Sequence, residues 1–291
     1  MELLNQMPPY NLFGLEKQSY ENAKVVAIPV PYDSTSSYKS GSKEGPHAII
    51  EASRNIELYS EETEQDISNI GIYTTEELAP DFGSPDGMVD RIKKEVSIIA
   101  GDGKVPLLLG GEHTITIGSV AALLERYKDM SIIYFDAHSD SRESYMGAKV
   151  CHACVAKRIM DMTDNIQLLG VRSIDQESAK KYAGKILYMK DMRKQQVSQI
   201  IEDLQNNTGQ NVYVTIDLDV LDPSEMPSVG TPEPDGMKYS MLVEILRGLL
   251  KSKKLVGMDV VELNPIPGLI APNYLAAKLI YMALSYSFGG V

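Results

Sequence analysis

Cysteine is scarce: the 291 residues hold two, Cys151 and Cys154, in one C-x-x-C with a histidine between them. That excludes a disulfide framework and a four-cysteine zinc site, and it points to a reducing, cytoplasmic setting. Basic residues are outnumbered, 28 against 40 acidic, for a net charge of -12. A nucleic-acid partner is thereby disfavoured, because a phosphate backbone calls for clustered Lys and Arg. Negative potential does suit a cationic small molecule, although acidity also serves plain solubility. No apolar run approaches the ~20 residues of a membrane span. Residues 1–9 lack the basic-then-apolar order of a signal peptide.

What the chain does contain is ordinary for a soluble globular protein, 43% hydrophobic and 23% charged residues. Short apolar runs alternate with helical patterns. Strands are expected over residues 25–30, 105–109, 131–135, 166–171, 186–189, 212–216 and 255–261. Helices are expected over 47–59, 88–100, 114–127, 178–182, 197–205, 240–251 and 272–285. The strands are continuous apolar runs, as in a parallel sheet covered on both faces. The alternation argues for α/β architecture in one domain spanning the chain. The Pro- and Gly-rich loop 222–236 follows a strand, where α/β proteins place functional loops.

The informative feature is acid at the ends of these strands. Ser131–Phe135 runs straight into Asp136-Ala-His138-Ser-Asp140, and residues 212–216 run into Asp217-Leu-Asp219. Residues two apart in an extended segment point to one side. A third strand ends in Gly110-Gly111-Glu112-His113, where glycine permits a tight turn and close approach to a ligand. Burying several like charges together is costly without compensation. If the three strand ends meet, two divalent cations balance Asp136, Asp140, Asp217 and Asp219, with His113 and His138 as further ligands. Mostly oxygen ligands with two imidazoles suit manganese, and leave nickel, cobalt, zinc and iron open. A single strand-end Asp is ordinarily a turn or helix cap; the several motifs together outweigh that reading.

At these residues the sequence resembles the ureohydrolases, the arginase and agmatinase family. The matching blocks are Gly110-Gly-Glu-His113, Phe135-Asp-Ala-His-Ser-Asp140, Thr215-Ile-Asp-Leu-Asp-Val-Leu-Asp-Pro223, Gly230-Thr-Pro232 and Gly257-Met-Asp-Val-Val-Glu-Leu-Asn-Pro265. An early block, from Ile28-Pro29 through Gly41-Ser-Lys-Glu-Gly-Pro46, also fits, so the likeness spans roughly residues 25–285. The resemblance implies a three-layer α/β/α fold around an eight-stranded parallel sheet, two manganese ions per chain, and a homo-oligomer, trimer or hexamer. It implies that His113, Asp136, Asp140 and Asp217 hold one ion. Asp136, His138, Asp217 and Asp219 hold the other, so that Asp136 and Asp217 bridge.

The chemistry so implied is hydrolysis of a guanidinium group. Two metals share a water and lower its pKa, hydroxide attacks the guanidinium carbon, and urea and an amine separate. The leaving amine needs a proton. His152 is the candidate donor, in Val150-Cys-His-Ala-Cys154, where agmatinases typically carry Ser-His-Gly-Thr. His152 and Asp140 are thus the candidate catalytic residues. Glu262 resembles the family's guanidinium-binding glutamate, since a carboxylate can accept two parallel hydrogen bonds from that group. Thr231 is the second candidate substrate contact. Cys151 and Cys154 are expected to pack, His47 to be structural, Asp222 to organise a turn, and Asp235 to alter a loop where relatives often have Gly. The run Asp140-Ser-Arg-Glu-Ser-Tyr145 favours agmatine over arginine, with putrescine and urea as products. Arg142 is expected to pair with Glu143 or a neighbouring subunit; facing the pocket, it would favour guanidinobutyrate. Guanidinase activity, a single-zinc deacetylase and a non-catalytic relative are the remaining alternatives.

Overall fold

The computed structural model describes residues 7–289; the reading of the first nine residues falls mostly outside them. Ten strands are present among the described residues: β1 (Val25–Val30), β2 (Tyr59–Ser60), β3 (Gln65–Asp66), β4 (Ile72–Thr74), β5 (Val105–Gly110), β6 (Ser131–Phe135), β7 (Ile166–Val171), β8 (Ile186–Tyr188), β9 (Asn211–Asp217) and β10 (Lys254–Val261). The helices are α1 (Gly45–Ser53), α2 (Pro85–Gly101), α3 (Ile115–Arg126), α4 (Val155–Met160), α5 (Gln176–Lys181), α6 (Met189–Met192), α7 (Val197–Asn207), α8 (Tyr239–Leu250) and α9 (Ala271–Phe288).

Eight strands form one sheet in the order β4-β1-β5-β10-β9-β6-β7-β8, all paired in parallel. Its strands alternate between two cores. Leu107, Leu109, Ile133, Phe135, Val212 and Val214 pack on one face with α1, α8 and α9. Leu108, Ile132, Tyr134 and Tyr213 pack on the other with α2, α3 and α4. This is the three-layer α/β/α arrangement expected, and it explains the continuous apolar strands: neither face meets water.

Four details depart from the sequence reading. The eighth strand, β4, is a three-residue edge strand, too short to show a pattern of its own. The helix expected over 47–59 is α1, which starts at Gly45 with Pro46 in its first turn and stops at Ser53. Beyond it Ile56 tucks into the core from a turn, and Tyr59 and Ser60 leave to pair with β3. The short helices α4 and α6 are not legible in the residue order, since four to six residues carry little periodicity.

Register brings the strand ends level. Val260 of β10 lies beside Leu109 of β5 and Ile216 of β9. Ile216 in turn lies beside Phe135 of β6. The four central strands therefore finish together at one edge, and the residues just beyond them are neighbours.

Candidate metal centre and active site

From the C-terminal ends of those strands come His113 after β5, Glu262 after β10, Asp217 and Asp219 at and after β9, and Asp136, His138 and Asp140 after β6. The structure brings all six predicted ligands together. His113 Nδ1 lies 3.3 Å from Asp136 Oδ2, 3.5 Å from Asp140 Oδ2 and 3.3 Å from Asp217 Oδ2. His138 Nδ1 lies 2.9 Å from Asp219 Oδ2 and 3.5 Å from Asp136 Oδ1. Two overlapping groups could each hold an ion, His113–Asp136–Asp140 and Asp136–His138–Asp219, and Asp136 belongs to both.

The local chain is shaped for this. A Cβ on Gly111 would sit 2.1 Å from the Tyr32 carbonyl oxygen, so only glycine lets β5 turn here against the β1 loop. Asp140 and Glu262 are non-glycine residues at φ +43° and +65°. The left-handed region costs such residues on the order of 1–2 kcal/mol each, a strain typical of functional positions. Asp217 Oδ1 accepts the Asp219 backbone N–H at 2.9 Å, which turns the second carboxylate of Asp-x-Asp back toward the site. Asp219 Oδ1 accepts from the Ala137 N–H at 3.0 Å, stitching the β9 and β6 ends together.

Charge tells what the cluster lacks. Burial, then the neighbouring carboxylates Asp219 and Asp136, push Asp217 well above the ordinary carboxylate range. Burial and Asp136 do the same to Asp140. At Asp136 burial acts upward too, but the imidazoles of His113 and His138 outweigh it and hold the group low. At His113 burial opposes protonation, and the adjacent carboxylates of Asp136 and Asp217 overcome it. The cluster thus retains protons that cations would displace. One atom is conspicuous: Asp136 Oδ2 is buried and has no hydrogen-bond partner. An orphaned oxygen on the one carboxylate common to both candidate groups fits a pair of cations.

Supporting shells explain the orientation of the rings. His113 Nε2 meets Thr215 Oγ1 at 2.8 Å, and Thr215 donates to the buried Asp259 at 2.5 Å. Asp259 also accepts from Thr116 at 2.8 Å and Tyr213 at 2.5 Å. Such partners of a metal-bound imidazole fix its orientation and raise its basicity. Tyr134 stacks on His113 with centroids 4.6 Å apart and donates to Asp140 Oδ2 at 3.1 Å.

The cluster opens into a cavity of about 310 Å³ lined by His138, Asp140, Asp217, Asp219, His152, Thr231 and Glu262 among others. Glu262 accepts the His113 backbone N–H at 2.8 Å, and burial, then the nearby Glu112, push its carboxyl up to about 8. Thr231 donates to Asp219 Oδ2 at 3.3 Å, so its partner is a carboxylate of the candidate metal cluster. His152 lies across the cavity, where its Nδ1 meets Thr35 Oγ1 at 3.3 Å and its Nε2 meets Ser37 Oγ at 3.1 Å. Burial pulls its pKa down.

Other expectations meet mixed outcomes. Cys151 and Cys154 are free and buried, their sulfurs 3.2 Å apart beneath the His152 turn. His47 is exposed and paired with the Tyr10 hydroxyl, away from the cluster. Asp222 accepts from the Ser224 and Gly236 N–H groups, both at 3.0 Å, as a turn organiser does. Asp235, at φ +68°, pairs with Arg193. Arg142 does not pair with Glu143, whose carboxylate is taken by Lys157 at 3.2 Å and Arg158 at 3.1 Å. Its guanidinium sits 5.5 Å from the Tyr145 ring centroid, on the cavity wall.

Three supports carry little or no sequence signal. The strap 35–39, which supplies Thr35, Ser37, Tyr38 and Lys39, has no ionisable spacing to mark it. Glu112 sits inside a family-like block yet reads there as a spacer. Asp259 is the more readable, being an acid within an apolar strand.

Comparison with known proteins places this geometry. The chain matches the Arginase family over residues 23–285. It is 35% identical over 277 residues to the N(1)-aminopropylagmatine ureohydrolase of Synechocystis, covering 92% of this chain and 90% of that protein. It is 32% identical over 283 residues to the agmatinase of Pyrococcus horikoshii, covering 96% and 98%. Among solved structures it superposes on the agmatine ureohydrolase of Thermoplasma volcanium with a TM-score of 0.89 at 33% identity, covering 97% of this chain and 95% of that one. The chain belongs to the arginase family, as an agmatinase-type ureohydrolase acting on guanidino compounds.

Proposed function

We propose that the chain hydrolyses agmatine to putrescine and urea at a pair of manganese ions. The observation that carries the substrate class is Glu262, a half-buried carboxylate on the wall of the cavity into which the ligand cluster opens. A guanidinium donates two parallel hydrogen bonds to such a group. A donor set of carboxylate oxygens and two imidazoles suits manganese over thiolate-seeking metals. The bound cations supply Lewis acidity and an acidified water as nucleophile.

The residues do the rest. Glu262 aligns the guanidinium carbon over the cluster, which lowers the entropy cost of reaction. His152, whose burial makes its ring the readier to give up a proton, carries one to the departing amine. Asp140, a ligand that also accepts from Tyr134, keeps the cluster edge rigid beneath the reacting carbon. Asp175 lies on the cavity wall and suits a cationic tail.

A second reading has its own support. Arg142 on the cavity wall suits a tail carboxylate, which favours guanidinobutyrate. The relatives' names add a longer polyamine, N(1)-aminopropylagmatine. The deciding experiment measures urea from agmatine, aminopropylagmatine, arginine, guanidinobutyrate and guanidine with added Mn²⁺. Agmatine should give the highest kcat/KM, and Asp136→Ala should abolish release. A higher value for guanidinobutyrate would transfer the assignment to the second reading.

A further inference from the structure

Glu112 is fully buried one residue before His113, and it has no place in either ligand group. Both of its oxygens are turned to the strap after β1. Oε2 accepts the Thr35 backbone N–H and Oε1 accepts the Thr35 hydroxyl, each at 2.7 Å. The alternative acceptor for that hydroxyl, Thr114 Oγ1, is 3.4 Å away and much the weaker partner.

A threonine hydroxyl has one proton and two lone pairs. With its proton given to Glu112, Thr35 Oγ1 can only accept from its other neighbours. The nearest are the His152 backbone N–H at 3.0 Å and His152 Nδ1 at 3.3 Å, with Thr114 Oγ1 beyond them at 3.4 Å. Nδ1 must then carry the proton. In a neutral ring the other nitrogen is a bare lone pair. That nitrogen, Nε2, faces Ser37 Oγ at 3.1 Å, and Ser37 lines the cavity.

We propose that Glu112 is a positioning residue that, acting through the Thr35 hydroxyl, fixes His152 in the tautomer protonated at Nδ1 with the Nε2 lone pair available to the cavity. The proposal rests on the reading of His152 as the proton carrier. In that role Nε2 takes up a proton and delivers it to the leaving nitrogen, while Nδ1 keeps its own proton throughout. A wrong tautomer would present an N–H where a lone pair is needed.

Reversal of one donor tests this. In Glu112→Gln the amide oxygen can still accept from the Thr35 N–H, but the amide NH₂ then donates to Thr35 Oγ1. The Thr35 proton is freed to point at His152 Nδ1, and the ring must move its proton to Nε2. The measurement is ¹⁵N–¹H correlation of the imidazoles in the full chain, ¹⁵N-labelled at its four histidines and loaded with diamagnetic Zn²⁺. It is made well above ~6.5, the unperturbed imidazole pKa, and His152 is assigned by its loss in His152→Asn. Wild type should show protonated Nδ1 and Glu112→Gln protonated Nε2. Thr35→Val, which removes the hydroxyl without changing shape, should show a mixture, and it decides the matter if the glutamine variant does not fold. In urea release, Glu112→Gln should lower kcat by up to about 10²-fold with little change in KM, because Glu262 still holds the guanidinium. Protonated Nε2 in wild type, or an unchanged tautomer in both variants, would overturn the proposal. Absence of urea release from any guanidino compound would sink the functional reading instead, while the imidazole signals still report on the relay.

Discussion

At the scale of single residues, Glu262 shows how a functional group is maintained against its own stability. Its carboxyl is pushed up to about 8 by burial first and Glu112 second, from an ordinary value near ~4.3. Between those limits the native metal-free chain binds more protons than the unfolded chain. The contribution of Glu262 to stability is therefore complete below the ordinary value and fades as pH rises to about 8. Glu262→Gln imitates the protonated form at all pH. The metal-free variant should match wild type in thermal unfolding near the acid end and exceed it above the raised value. A difference that does not change across that window would refute the account. The same substitution deletes a charge-assisted pair worth ~1.5–3 kcal/mol, so kcat/KM should fall roughly ten- to hundred-fold.

At the scale of elements, the site depends on four adjacent strands ending level, and on turns sharp enough to aim the ligands just beyond them. Gly111 is the tightest of these turns. A methyl there meets the Tyr32 backbone rather than a movable side chain. Gly111→Ala should thus cost about 1–3 kcal/mol by overpacking, and should move the Glu112–His113 pair off the strap. The checks are the thermal midpoint and bound metal per chain; wild-type values for both would show that the turn has slack. The strap is the element that sequence could not foresee. Its serines and threonine have no spacing that distinguishes them from an ordinary loop, and their meaning comes from Glu112 and His152, 77 and 117 residues away in the chain.

For the molecule as a whole, the acidic edge is a stability problem whose solution is a ligand. Carboxylates that repel one another in the metal-free state become counter-charges once cations bind. A species that binds the native state alone stabilises it by about 2.7 kcal/mol at a hundredfold excess over Kd. Chelation should accordingly lower the unfolding temperature by several degrees, and Mn²⁺ should restore it. Because the cluster must release protons on loading, the recovery should be weaker at low pH. An unfolding temperature indifferent to chelator would argue that the cluster holds no structural cation.

Much of this molecule is legible in the residue order. Continuous apolar runs determined buried strands, and their alternation with helical patterns determined the layered sheet. Acids at period two after apolar runs marked which side chains converge, but pleating does not bring them together: β6 ends at Phe135 and Leu218–Val220 is a 3-10 helix, so the turns beyond the strands aim them. Tertiary structure alone decided which strands are neighbours. Crossovers place β10 between β5 and β9, and β9 beside β6, an order set by packing across the whole sheet and not by any local pattern. That order makes Asp136 common to both ligand groups and brings Glu262 beside them. It also seats Thr35 between Glu112 and His152, a meeting of three distant segments that hydrogen-bond geometry reveals and spacing along a chain does not.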